Sequence, residues 1–256
     1  RNGMRPQNGW GTIGHSCAGA NIIYTVFVLQ PMLAAPEGRR YDKWKLQTQW
    51  RVRHYKGLLT FHLDQIHQST HFNPKGVLHA GAHYGAEVPT YDLLNVDNIH
   101  LFEPQSDIFQ LLRENYGYKK NVHLFNSALG ATDGVTLSIH REEEGSPNLS
   151  GASGLLKPKI HLTDFPGVKF EATPSQQVEV NTLDSYQIKN TDFLVMDTQG
   201  YELEVLQGAQ QTLTHIKWIL FEYWKNEAYE KCVLETEIEN FVEEQGFQPA
   251  LKKNCD

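Results

Sequence analysis

The chain has 256 residues, which fits one large domain or one domain with an extension. Hydrophobic residues make up 40% of it and aromatic residues 11%, as in an ordinary soluble globular protein with a sizeable core. A net charge of -7 argues against a nucleic-acid partner, because proteins that bind nucleic acids favour a basic face.

The first 55 residues differ in charge from the rest, with eight Lys and Arg but only two Asp and Glu. We predict an N-terminal extension over residues 1–55, a linking helix over 56–73 and the main domain over 74–256. A chain that starts near Lys56 is accordingly expected to fold and to bind its ligand. Residues 18–35 are apolar, but they are shorter and more interrupted than the roughly 20 apolar residues of a transmembrane helix.

We therefore predict a cytoplasmic protein without membrane association, with a signal or anchor segment at 18–35 as the open alternative. The three cysteines, Cys17, Cys232 and Cys255, show no metal-ligand or redox spacing, so no disulfide framework is expected. His67 and His71 stand four residues apart, as zinc ligands can, but no third ligand follows nearby. No metal site is predicted.

From residue 74 onward, apolar runs that suit strands alternate with segments of helical periodicity. The predicted strands are 76–80, 99–102, 122–125, 135–139, 178–180, 193–196 and 218–221. The predicted helices are 86–95, 106–115, 202–212 and 235–245. This alternation predicts an α/β fold with a mostly parallel central sheet and helices on both faces.

Three details of this pattern can be tested. We expect Ser106 to cap its helix and Leu111 to face inward. We expect the strand 135–139 to pair beside 122–125. Residues 140–175 are rich in Gly, Ser, Pro and charge, and such a long excursion in a compact domain is often functional.

A glycine turn follows the first strand of this domain, in the sequence VLHAGAHYG that ends at Gly85. Gly81 and Gly85 permit positive φ angles and a close approach of the backbone to a ligand. Glycine turns are common between strands and helices, so this feature is weak when taken alone.

Glu103 strengthens the case, because it closes the next strand, 22 residues after Gly81. An acidic residue at this spacing is placed to accept hydrogen bonds from the two hydroxyls of a ribose. The following turn, at Ser127 and Ala128, is placed to hold an adenine ring. For Glu103 and for both turns, a purely structural role stays open as the alternative to ligand binding.

The glycine turn lacks the Gly-x-Gly-x-x-Gly pattern with which a dinucleotide pyrophosphate is bound. A ligand that has ribose and adenine but no phosphates fits this departure, and S-adenosylmethionine is such a ligand. Two other functions stay open. One is a nicotinamide-dependent oxidoreductase on a related fold, and the other is a non-catalytic cofactor-binding domain.

Asp197 and Glu222 each end an apolar strand, at the sheet edge where open α/β folds bind their ligands. We predict Asp197 as a general base or as the group that orients the acceptor hydroxyl, with support from Glu222. His83 is a more distant candidate. A divalent metal held by the carboxylate pair, or a helix cap near Glu202, would explain these residues instead.

The stretch DFLVMDTQGYELEVLQGA at 192–209 resembles the FkbM-type methyltransferase family. Six further blocks resemble it in the same order: VLHAGAHYGAE at 77–87, IHLFEP at 99–104, NSALGATDG at 126–134, SGLLKP at 153–158, VNTLDSY at 180–186 and ILFEY at 219–223. The blocks are individually modest, but seven in order are a specific signal. They cover about residues 74–247.

The resemblance implies a Rossmann-like class I methyltransferase fold, S-adenosylmethionine as cofactor, and methylation of a hydroxyl on a sugar or other small metabolite. The cofactor-binding residues predicted from both arguments are His79, Gly81, Ala82, His83, Tyr84, Gly85, Glu103, Pro104, Ser127, Ala128 and Asp197. Two departures stand out. His79 replaces the acidic residue usual in the family, and the chain after Phe247 looks too short for the usual final hairpin.

Overall fold

A computed structural model describes residues 22–29, 72–143, 151–174 and 176–254. Most of the predicted extension and residues 56–71 of the predicted linking helix lie outside these residues, as do Cys17, Cys255, His67 and His71. Residues 72 and 73, the end of that predicted helix, are not helical. The strands are β1 (Ile22–Leu29), β2 (Gly76–Ala80), β3 (Asn98–Phe102), β4 (Val122–Phe125), β5 (Ala128–Leu129), β6 (Val135–Ile139), β7 (Gln176–Asn181), β8 (Phe193–Met196), β9 (Trp218–Trp224) and β10 (Phe247–Asn254). The helices are α1 (Val88–Leu93), α2 (Ser106–Tyr116), α3 (His161–Asp164), α4 (Glu202–Gln207), α5 (Gln210–Leu213) and α6 (Glu235–Glu244), with a 3-10 turn at Asp184–Tyr186.

The main sheet has seven strands in the order β10-β1-β9-β8-β2-β3-β4. The five strands from β9 to β4 are parallel to one another. β1 is antiparallel to both of its neighbours, β9 and β10. The fold is therefore a mixed α/β fold with a mostly parallel sheet, as the alternating pattern predicts.

β1 corrects the expectation that residues 1–55 lie outside the domain. This strand pairs with β9 over Ile22–Val28 and with β10 over Ile23–Leu29, so it lies inside the sheet. Val26, Phe27 and Val28 are at most 1% exposed, and the Phe27 ring stacks on Phe221 at 5.4 Å. Residues 22–29 of the apolar stretch thus form a strand inside the main sheet.

β10 bears on a second expectation, that the chain after Phe247 is too short for the usual final hairpin. Phe247–Asn254 forms a strand of eight residues whose partner is β1. The antiparallel pair at this end of the sheet is therefore built from strands far apart in sequence, which is why no hairpin pattern is visible after Phe247.

A second, smaller sheet has the order β5-β7-β6. β6 pairs antiparallel with β7, and β7 pairs parallel with β5. The expectation that 135–139 pairs beside 122–125 is therefore wrong. β7, which is only weakly apolar, supplies the partner instead, and Val178 and Val180 pack with Ala128 and Ile139 beneath this sheet.

The main sheet is covered on both faces. One core cluster joins the strand residues Leu78, Leu194 and Phe221 to α4 and α6. The other joins Val77 and Val195 to α1 and α2. Because alternate residues of a strand point to opposite faces, each parallel strand contributes to both clusters.

The helices differ in detail from those predicted from the sequence. α2 begins at Ser106, and its N-cap is Gln105 without a side-chain hydrogen bond, so Ser106 is not the cap. Leu111 is 42% exposed, not inward. The predicted helix 202–212 is divided at Gly208 into α4 and α5. Only glycine fits at this position, because a β-carbon there would lie 2.0 Å from the carbonyl oxygen of Gly130. Among the described residues, no helix combines the length and the apolar character that a membrane span requires.

Candidate active site at the carboxyl edge of the sheet

The carboxyl ends of the parallel strands bring the glycine turn and the acidic residues to one edge of the sheet. Gly81 follows β2 and packs against Asp197, which follows β8: a β-carbon on Gly81 would lie 2.0 Å from the Asp197 carbonyl oxygen. Glu103 follows β3 and Glu222 lies near the end of β9. Ligands of open α/β sheets bind at this edge.

The glycine turn is held by its own backbone hydrogen bonds. The N–H groups of Gly81 and Ala82 both donate to the carbonyl oxygen of Phe102, at 3.0 and 2.9 Å. Gly81 and Gly85 have φ angles of 77° and 85°, and His83 between them has 49°. Only glycine adopts the first two freely, and the contact with Asp197 leaves no room for a side chain at Gly81.

Glu103 joins the turn to the end of β3. Its Oε2 accepts from the backbone N–H of His83 at 2.9 Å, and its Oε1 accepts from the backbone N–H of Gln105 at 2.8 Å. The side chain is 3% exposed. Burial raises the pKa of Glu103 to about 7, although the two backbone hydrogen bonds oppose the shift.

The two histidines near the turn are both neutral at pH 7. His79 is buried, its Nδ1 lies 2.9 Å from the hydroxyl of Tyr91 on α1, and burial lowers its pKa to about 3. Burial also lowers the pKa of His83 to about 4. His83 contacts Glu103 through its backbone and Tyr84 through its ring, which places it on the Glu103 side of the edge.

Part of the turn predicted to hold adenine already forms hydrogen bonds within the protein. The Ser127 hydroxyl, which is buried, donates to the carbonyl oxygens of Ala128 and Glu179 at 2.8 and 3.3 Å. Its one donor is therefore already in use. The carbonyl oxygen of Pro104 accepts from the side-chain amide of Asn126, which lies beside Ser127 and fixes Pro104 next to this turn.

A glutamine joins the two carboxylates that end β8 and β9. Gln199 Nε2 donates to Asp197 Oδ1 at 2.6 Å and to Glu222 Oε1 at 3.1 Å. Asp197 is half-buried and Glu222 is buried. α4 has no side-chain cap, so Asp197 does not cap it; Glu202 instead accepts from the backbone N–H and the hydroxyl of Thr198, both at 2.8 Å.

Gln199 was not among the residues predicted from the sequence, and neither was its partner Tyr229 as a hydrogen-bonding group. The Tyr229 hydroxyl lies 2.8 Å from Gln199 Oε1 and 2.9 Å from the carbonyl oxygen of Ala152. In the sequence, Gln199 is recognisable only as an amide between Asp197 and Gly200 in a tight turn, and this pattern does not identify a site residue.

The excursion predicted between 140 and 175 covers this turn. A β-carbon on Gly154 would lie 3.0 Å from that of Gln199, and Leu156 lies beside Gly200. Phe165 and Phe170 of the excursion pack on Trp224 and Tyr229. Residues 151–174 therefore form one wall of the edge that carries Asp197 and Glu222.

Elsewhere, an open groove of about 920 Å³ lies at the opposite, amino edge of the sheet, lined by residues such as Lys75, Asp97 and Lys217. None of the predicted site residues lines it. Within the described ranges, no group of three or more His, Cys, Asp or Glu side chains lies where it could hold a metal ion.

A family model, the methyltransferase FkbM domain, matches residues 79–249. The 2-O-methyltransferase NoeI of Sinorhizobium fredii (strain NBRC 101917 / NGR234) is 32% identical over 135 residues, which cover 50% of this chain and 54% of that protein. A crystal structure of methyltransferase FkbM from Methylobacillus flagellatus KT is similar with 12% identity and a TM-score of 0.35, over 66% of this chain and 45% of that one. The chain thus spans about half the length of the curated relative that it matches.

Proposed function

Since the chain belongs to the methyltransferase FkbM family, we propose that it transfers a methyl group from S-adenosylmethionine to a hydroxyl oxygen of a sugar or other small metabolite. The five parallel strands, with helices on both faces, support a Rossmann-like class I arrangement for this domain. The similarity to a 2-O-methyltransferase supports an oxygen acceptor.

The hydrogen bonding of the glycine turn carries the cofactor assignment. A pyrophosphate is bound by backbone N–H groups that are free to point at it. Here the N–H groups of Gly81 and Ala82 donate to Phe102, and that of His83 donates to Glu103. The turn therefore fits a ligand without phosphates better than a dinucleotide, which disfavours the oxidoreductase alternative.

The residues at this edge fit S-adenosylmethionine from its ribose to its methyl group. Glu103 would accept from the ribose hydroxyls, with Pro104 and the Ser127–Ala128 turn beside the adenine. Because Gly81 has no β-carbon, the carbonyl oxygen of Asp197 packs directly against the glycine turn, which keeps Asp197 beside this part of the edge. When bound, the cofactor supplies an electrophilic methyl group on sulfur.

The protein's own part in the reaction is to align the acceptor oxygen and to accept its proton. The Asp197 carboxylate would take the proton of the acceptor hydroxyl or orient that hydroxyl, with Glu222 beside it through Gln199. His83, neutral at pH 7, is a second candidate base on the Glu103 side. Holding the reactants in line contributes much of the acceleration in such a displacement.

We expect Glu103→Ala to weaken S-adenosylmethionine binding by about 1–3 kcal/mol, because the ribose hydroxyls lose a charged acceptor. Isothermal titration measures the change. Asp192→Ala is a matched control: Asp192 is also buried and also accepts from two backbone N–H groups, those of Lys75 and Gly76, but at the amino edge. If both variants are folded and bind like the wild type, another residue holds the ribose.

The raised pKa of Glu103 predicts a pH dependence of this binding. The ionised carboxylate accepts from the ribose better than the protonated one, so affinity should be full above pH 7. It should fall as the pH drops through about 7, by up to about tenfold per pH unit below it. S-adenosylhomocysteine titrations between pH 5.5 and 8.5 measure it. A Glu103→Gln variant should show no such dependence, and a flat wild-type curve would refute the ribose role of the ionised carboxylate.

The proposed activity is tested by following labelled methyl transfer from S-adenosylmethionine to a panel of sugars and small alcohols. Methylation of an oxygen on any of them supports the proposal. Cofactor binding without turnover on any acceptor of the panel would favour the remaining alternative, a non-catalytic cofactor-binding domain.

A further inference from the structure

Gln199 has an unusual backbone for its residue type. Its φ angle is 57°, in the left-handed region that residues other than glycine rarely adopt. The residue is 8% exposed, and its amide contacts three side chains: Asp197, Glu222 and Tyr229. A strained backbone at a ligand-binding edge persists where surrounding contacts demand it, so these contacts point to a role for this side chain.

The direction of the Gln199 amide follows from its partners. Carboxylate oxygens accept hydrogen bonds, and the Nε2 group of Gln199, with its two donors, faces Asp197 Oδ1 and Glu222 Oε1. The Oε1 atom then faces Tyr229 and needs a donor. Burial, with Glu222 and Asp197 nearby, raises the pKa of Tyr229 well above its usual value, so its hydroxyl stays protonated and donates.

Tyr229 also ties this arrangement to the wall formed by residues 151–174. Its hydroxyl lies between Gln199 Oε1 and the carbonyl oxygen of Ala152, at 2.8 and 2.9 Å. Gly154 packs on Gln199 from the same wall. The single proton of the Tyr229 hydroxyl is shared between these two acceptors, so Tyr229 links the wall to Gln199, whose amide contacts both carboxylates.

We propose that Gln199 and Tyr229 are positioning residues, which hold the Asp197 and Glu222 carboxylates side by side and couple them to the docked wall of residues 151–174. Two carboxylates in one site repel each other, and a shared amide donor offsets that repulsion while fixing which oxygens face the cleft. The proposal deepens the proposed function, since it concerns the base of that reaction, but the chain of contacts can be tested without turnover.

The test is the ¹³C spectrum of the side-chain carboxyl groups in protein labelled at Asp and Glu, with Asp197→Asn and Glu222→Gln used for assignment. Gln199→Met removes the amide and keeps the length of the side chain. Tyr229→Phe removes only the hydroxyl, whose hydrogen bonds go to Gln199 Oε1 and to the carbonyl oxygen of Ala152. Gln187→Met is the matched control, because Gln187 is an exposed glutamine with a similar φ angle, 50°, that lines the groove at the amino edge.

We expect Gln199→Met and Tyr229→Phe each to shift the signals of both Asp197 and Glu222, and Gln187→Met to shift neither. The coupling is refuted if Tyr229→Phe leaves both signals in place, if Gln199→Met moves only one, or if the control moves them equally. Should Gln199→Met fail to fold by near-ultraviolet circular dichroism, Tyr229→Phe alone decides.

A kinetic measurement separates positioning from a purely structural role. On an acceptor found in the methyl-transfer panel, kcat should fall by about 10–100-fold in Gln199→Met and Tyr229→Phe, while the Kd of S-adenosylmethionine stays unchanged. Equal losses in kcat and cofactor affinity would contradict the proposal. If the wild-type chain does not bind S-adenosylmethionine at all, the proposed function fails, whereas the carboxyl signals still report whether the coupling exists.

Discussion

A chain that starts at Lys56 is expected not to fold, because it lacks β1. Removal of this strand exposes the edges of β9 and β10 and the apolar surfaces that Val26, Phe27 and Val28 cover. Burial of each such side chain contributes about 1.5–3 kcal/mol, against a total stability of about 5–15 kcal/mol for a typical domain. The hydrogen bond between Thr25 and Tyr223, at 3.1 Å, is lost as well.

Urea unfolding followed by circular dichroism measures this effect, with the full chain as reference. Phe27→Ala in the full chain is a milder change at the same strand, and it should lower the free energy of unfolding by about 3–5 kcal/mol. Cooperative unfolding of the truncated chain, at the urea concentration that unfolds the full chain, would show that β1 is an accessory strand and would restore residues 1–55 as a separate extension.

Asp197→Asn is expected to lower methyl transfer by about 10²–10⁴-fold while cofactor affinity stays nearly unchanged. The substitution keeps the size of the side chain but removes the carboxylate that would take the proton of the acceptor hydroxyl. The side-chain oxygen of Asn can still accept the hydrogen bond from Gln199 Nε2, so the turn after β8 should keep its shape.

The measurement compares kcat on the acceptor identified in the methyl-transfer panel. Asp184→Asn is the matched control, because Asp184 is likewise half-buried and its carboxylate also accepts hydrogen bonds, from the backbone N–H groups of Gln211 and Thr212, but at the amino edge. If Asp197→Asn turns over like the wild type, Asp197 is a structural residue, and His83 becomes the candidate base.

The alternating part of the fold could be predicted from the sequence, because its signals are local. Buried parallel strands such as β8 are short apolar runs, and α6 has a periodic apolar face that ends before Gly246. β1 could not be placed in this way. Its register is set by Phe221 and Leu251, about 200 residues away, and no local pattern encodes such a partner.

The same distinction applies to the candidate site. The sequence brings Gly81, Glu103 and Asp197 to one edge because each follows a strand of the same parallel sheet. The sequence does not show that the N–H groups of Gly81 and Ala82 donate to the carbonyl oxygen of Phe102, because this hydrogen bonding between two strands depends on the geometry of the turn. Nor does it show Gln199, whose importance arises from its left-handed backbone and its three partners.

Isothermal titration of the full chain with S-adenosylmethionine and, separately, with NAD tests the cofactor assignment most directly. We expect S-adenosylmethionine to bind and NAD not to bind comparably, because the glycine turn offers a ribose acceptor at Glu103 but no row of free N–H groups for a pyrophosphate. Tighter binding of NAD than of S-adenosylmethionine would contradict the cofactor assignment, and with it the methyl-transfer mechanism.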